Sequence, residues 1–142
     1  VNVTPNFTDK TITGVTTIAF APMQKKWHTT MQIDLQQPLV VDSIVMQRSK
    51  LKFTHENNII IIHNPSGKWP THKGRASIQI FYHGKPRKAI NPPWDGGWIF
   101  TYDKQKNPSM TVACQGLGAS VWYPCKDHQS DEPDNGASLT VT

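Results

Sequence analysis

The most regular feature of the chain is an alternation with a period of two. Ile12, Gly14, Thr16, Ile18 and Phe20 fall on one side of Thr13, Val15, Thr17 and Ala19. The run is rich in β-branched residues, whose crowded Cβ loses freedom in a helix and fits a pleated surface, so a long strand is predicted over residues 12–20. In residues 30–35, Met31, Ile33 and Leu35 share one face and Gln32 and Asp34 the other, the pattern of a half-buried strand. Pro38 interrupts, and a strand pattern resumes over residues 39–46. Further strands are predicted at 50–55, at 59–63 after an Asn57-Asn58 turn, and at 76–83, where Ile78, Ile80 and Tyr82 oppose Gln79 and Phe81. The consecutive isoleucines at 59–62 predict a strand covered on both faces.

Beyond residue 84 the texture changes. Gly84-Lys85-Pro86 and Asn91-Pro92-Pro93-Trp94-Asp95-Gly96-Gly97 are loop chemistry, because proline removes a backbone donor and glycine permits positive φ. Strands are predicted to return at 98–102, 110–114, 121–123 and 138–141. With nothing helical between them, many short turn-bounded strands predict an all-β fold of twisted, mostly antiparallel sheets packed as a sandwich or an open barrel. A chain of 142 residues can bury roughly 68% of its unfolded surface, so one β-domain over residues 1–142 is expected. Val1-Asn2-Val3-Thr4-Pro5 and Leu139-Thr140-Val141-Thr142 both read as strand patterns cut while still running, as in a piece of a longer protein.

Composition narrows the functional classes. The formal charge of +5 is spread over short groups such as Lys50-Lys52, Lys85-Arg87-Lys88 and Lys104-Lys106 rather than gathered on one stretch with aromatic residues between, which argues against a nucleic-acid partner. No apolar stretch reaches the roughly 20 residues of a membrane span, and the first residues lack the basic start and apolar run of a signal peptide. Cys114 and Cys125 are too sparse for a disulfide framework, and the spacing leaves open whether they bridge. The compartment stays open too.

Local motifs for chemistry are incomplete. His55-Glu56 begins like a helical zinc motif, but Ile59 stands where the second histidine belongs, and the context is strand and turn. The remaining histidines have unrelated spacings. The acidic stretch from Asp127 to Gly136 departs from a calcium loop, with Pro133 at a ligand position and no bidentate glutamate at the required distance. Trp94, Trp98, Trp122 and Tyr123 suggest a saccharide-binding β-sandwich, with rings stacking on sugar faces beside Asp95 or Asn91; large aromatics equally anchor cores and long loops.

Read in order, several segments resemble one family. Residues 11–20 are similar to an early "x-I-x-G-x-x-x-I-x-F" strand; Ile33-Asp34-Leu35 precedes Leu39-Val40-Val41-Asp42-Ser43-Ile44; then come Leu51-Lys52-Phe53, the isoleucine strand, and Tyr82-His83-Gly84, like a "Y-x-G" element. Trp122-Tyr123-Pro124-Cys125-Lys126-Asp127 followed by Asp131-Glu132-Pro133 resembles a Phe-Pro-Cys-x-Asp-Glu-Pro segment whose cysteine lies ten positions after an acidic or amide residue, here Gln115. The chain thereby resembles the amino-terminal, saddle-like domain of the aminopeptidase N and leukotriene hydrolase family, the gluzincin zinc metallopeptidases.

The resemblance implies a whole enzyme that removes amino-terminal residues from peptides, with a zinc-bound water activated by a glutamate in a later thermolysin-like domain. Its His-Glu-x-x-His motif is absent from these residues, so the chain by itself is expected to hold no catalytic zinc and to turn over no peptide. Its expected partners are the parent's own catalytic domain and the amino terminus of a peptide substrate. Its expected role is to cap the cleft and to lend Gln115, whose amide oxygen can accept from an ammonium without the desolvation cost of a buried carboxylate. Two positions depart from the family: Ala113 stands where a further glutamine is common, and Ser120 where an arginine is common.

Overall fold

A computed structural model describes residues 1–21, 28–69, 74–128 and 136–142. Among the described residues ten strands follow one another: β1 (Asn2–Asn6), β2 (Thr11–Phe20), β3 (Thr30–Asp34), β4 (Val40–Met46), β5 (Ser49–Glu56), β6 (Ile59–His63), β7 (Ala76–Gly84), β8 (Gly97–Tyr102), β9 (Pro108–Ala113) and β10 (Thr140–Val141). Eight of them form one sheet in the order β10-β1-β2-β7-β4-β5-β6-β3, and β8 and β9 form a separate hairpin. All pairings are antiparallel except β1 with β10. The sheet curls into a half-barrel, the all-β outcome expected from the alternation.

Strand β5 makes the curl. Its first residues, Ser49, Lys50 and Leu51, pair with β4, and the remainder, from Lys52 to Glu56, pairs with β6. One strand thus passes from one sheet segment to the next, as strands do at the corners of barrels and orthogonal sandwiches. A bulge in β4 between Val41 and Ser43 adds to the bend and turns Asp42 outward, where its carboxylate lies 2.8 Å from His83 Nδ1. The β4–β5 and β5–β6 connections are two-residue turns with positive φ at both positions, Gln47-Arg48 and Asn57-Asn58. Pro5 is tolerated in β1 because the pairing with β10 extends only over Asn2 and Val3, leaving the outer edge at Pro5 without a ladder to break.

The inward face follows the period of two. Ile12, Ile44, Ile60, Ile62, Ile78, Ile80 and Tyr82 are fully buried, with Leu35 and Leu39 from the connection between β3 and β4. Burying one such aliphatic side chain contributes about 1.5–3 kcal/mol, so this face carries most of the fold's driving force. Gly14 lies opposite Tyr82, and a Cβ there would come within 2.5 Å of the phenol ring. The glycine is required by the space the tyrosine fills. In β6 the structure modifies the sequence expectation: Ile60 and Ile62 are in the core, whereas Ile59 and Ile61 are half-buried on the outer face beside Gln32, Thr54 and Glu56. A second difference lies at 121–123. A strand is expected there, but residues Ala119–Val121 form one turn of 3-10 helix, set up by the positive φ of Gly118. No helix among the described residues is long and apolar enough to cross a membrane.

Candidate functional site

Gln115 follows β9 in a tight turn. The Cys114 carbonyl accepts from the Leu117 amide at 3.2 Å and the Gly118 amide at 2.8 Å, and Gly116 supplies the positive φ that the reversal needs. The Gln115 side chain is exposed and has no hydrogen-bond partner among the described residues.

The segment after Gln115 is docked onto the end of β3. Asp34 and Cys125 exchange backbone hydrogen bonds of 2.8 and 3.1 Å, the Gln36 amide donates to the Ser120 carbonyl at 2.9 Å, and the Asp127 amide donates to Asp34 Oδ2 at 3.1 Å. The Gln36 side chain adds a bond from Nε2 to Ser120 Oγ at 3.2 Å. Asp127 turns back to receive the Ser120 amide at 3.2 Å, and its carboxylate occupies the space beside Gly118 where any Cβ would overlap it. Val121 and Pro124 are fully buried. The described part of the segment that carries the resemblance, through Cys125 and Asp127, thus docks the chain after Gln115 on the end of β3. Ser120, at the position where the family commonly has arginine, is buried within this docked segment.

Neither cysteine is bridged. Burial raises the Cys125 thiol to about 12, with the Asp127 and Asp34 carboxylates adding to it, and burial followed by Asp127 also raises Cys114. A thiol so raised is a poor nucleophile at neutral pH. His55 has no ligand role in its surroundings: its Nε2 donates to the Leu35 carbonyl at 2.9 Å, which ties β5 to the end of β3. Among the described residues, no group of three or more His, Cys, Asp or Glu could hold a metal ion. Residues 129–135 of the calcium candidate, including Asp131-Glu132-Pro133, and His72 lie outside the described residues.

The four aromatic residues considered for sugar stacking are not presented together. Trp98 is buried and stacks on Phe100, and Trp122 and Tyr123 meet edge to face at 4.6 Å while packing on the core. Trp94 alone of the four is largely exposed, at 74%. Neighbouring Asp95 is engaged: its Oδ2 accepts from the Ile90 amide at 2.6 Å and its Oδ1 from Arg87 Nη2 at 2.9 Å. The Ile90 amide, with Arg87, holds its carboxyl below the usual carboxylate range.

No family model and no curated protein matches the sequence. Solved structures do match the fold. Native leukotriene A4 hydrolase from Saccharomyces cerevisiae superposes on 89% of this chain with a TM-score of 0.65 at 15% identity. The M1 zinc metallopeptidase of Deinococcus radiodurans matches 99% of it with a TM-score of 0.62 at 17% identity, and a mutant of that enzyme bound to a Tyr-Ser-Ala substrate gives 0.66. The chain spans 20% of the length of the yeast structure and 30% of the bacterial ones. At this level of identity the likeness is one of fold. Across nearly its whole described length, the chain thus has the architecture of a part of these larger hydrolase and metallopeptidase structures, as the sequence resemblance led one to expect.

Proposed function

We propose that this chain is the amino-terminal β-domain, residues 1–142, of a zinc aminopeptidase of the gluzincin type, and that Gln115 contacts the free amino group of the peptide substrate. The fold match to zinc metallopeptidase structures supports the family. The observation that carries the role of Gln115 is its exposed side chain, without a hydrogen-bond partner among the described residues, on a turn whose following segment is docked on the end of β3. Its amide oxygen lies at the surface, where it can accept from an ammonium. The metal and the catalytic base belong, in this reading, to polypeptide beyond these residues, and this chain closes one side of the cleft.

The test uses the whole polypeptide. Hydrolysis of aminoacyl anilides should depend on zinc, and Gln115→Ala should raise KM by about tenfold, the loss of one hydrogen bond to a charged group, while thermal unfolding stays unchanged. Unaltered kinetics would remove Gln115 from the site. A zinc-independent or absent peptidase activity would remove the family reading itself. For a saccharide-binding module, oligosaccharide titration should show an affinity that Trp94→Ala abolishes; the separation of the other rings speaks against that outcome.

A further inference from the structure

We propose that Arg87 is a positioning residue for Gln115, acting through Asp95 and Gly96; the inference rests on the reading of Gln115 as the contact for the substrate amine. The loop between β7 and β8 doubles back on itself, and the Arg87 guanidinium closes it. Its Nε donates to the Gly96 carbonyl at 3.1 Å and its Nη2 to Asp95 Oδ1 at 2.9 Å. The backbone of Arg87 is itself fixed, since its carbonyl accepts from the Trp98 amide at 2.7 Å. Asp95 extends the closure by accepting from the Ile90 amide. Two donors of one rigid, planar cation therefore hold two consecutive residues, an arrangement a lysine cannot reproduce.

The residue so held is the one that meets the Gln115 turn. Gly96 is buried, and a Cβ placed on it would lie 3.0 Å from the Gln115 carbonyl oxygen and 3.0 Å from Leu117 Cβ. On the opposite side of the turn Gly116 faces open space, with nothing within 4 Å of its Cβ position. The backbone hydrogen bonds of the turn run to the Cys114 carbonyl, and on its far side the Leu117 carbonyl accepts from Ser120 Oγ at 3.3 Å. The Gly96 backbone is thus the wall against which Gln115 is placed, and Arg87 fixes that wall. A displacement of about 1 Å in a group that orients substrate is enough to cost a large part of its effect.

Arg87→Ala and Gly96→Ala test this in the whole polypeptide, the second leaving the guanidinium and its Asp95 partner in place while crowding the wall against the turn. Hydrogen exchange over residues 114–118 should quicken by about tenfold in both variants, with exchange in β7 unchanged as the check on folding. KM for a substrate with a free amino terminus should rise about as far as in Gln115→Ala with kcat held, Arg87→Lys should fail to restore it, and Arg87→Ala should add nothing to Gln115→Ala in the double variant. Unchanged exchange at 114–118, or losses that add in the double variant, overturns the positioning role while leaving Gln115 in place. If Gln115→Ala alone leaves KM unaltered, the reading of Gln115 fails and the positioning role with it, whatever the exchange shows.

Discussion

From β1 through β7 the chain is positioned by a repeating rule, and from residue 85 to residue 128 by individual contacts. In the strands of the first region alternate side chains face one core, fully buried in β6 and β7 and half-buried in β5, and long ladders such as the nine-residue register of β2 with β7 spread the ordering over many equivalent bonds. In the second region the hairpin of β8 and β9 packs on the core without joining the ladder of the large sheet, and the connections are set by single groups: Arg87 across its loop, Asp127 under Gly118, and the Asp34–Cys125 exchange at the end of β3. The contrast shows where function can be placed. A ladder with a buried face tolerates little motion of any member, whereas a turn held by a few contacts can present one side chain outward.

If the first region depends on its inward face, the largest effect should come from that face. Ile60→Ala should lower unfolding free energy by about 3 kcal/mol, read as a shift in the midpoint of a urea titration; a loss under 1 kcal/mol would mean that the core does not close over β6. The second region should instead show itself through pH. The thiol of Cys125 is raised above its unfolded value of about 8.5 to about 12. The folded state thus holds a proton that the unfolded chain releases between those values, so stability present below that window should be lost as pH rises through it. Cys125→Ala should flatten the decline between pH 8.5 and 10; an unchanged slope in thermal unfolding against pH would assign the loss to other groups, such as Cys114, whose thiol is also raised by burial. The smallest effect is expected from Ile61→Thr, on the outer face of the same strand as Ile60, which should change stability by no more than about 0.5 kcal/mol. A loss comparable to that of Ile60→Ala would show that the outer face is covered after all.

Much of the strand order was legible because burial on one face imposes a period of two, and β2 through β7 each show that period, with a bulge in β4. The Asn57-Asn58 turn was legible because asparagine accepts positive φ, while Gln47-Arg48 adopts the same turn with residues that give no local signal and is imposed by the pairing of β4 with β5. The run of isoleucines misled about coverage, since identical side chains carry no phase and only the neighbours Gln32 and Thr54 show which face is outside. The expected strand at 121–123 gave way to a turn of 3-10 helix because Gly118 and the docking on β3, neither visible as periodicity, set the backbone there.

By itself, the amino-acid sequence determined that the chain is built of strands, roughly where they run, and that Gln115 precedes Cys125 in a pattern like that of the zinc aminopeptidases. Only the tertiary structure decided that Gln115 is exposed, that Trp98 and Trp122 are spent on packing, and that Arg87 reaches across its loop to the residue beside the Gln115 carbonyl. The physical reason is range. Alternation is a property of neighbours along the chain, whereas the environment of a side chain is set by segments distant in sequence that share no local pattern.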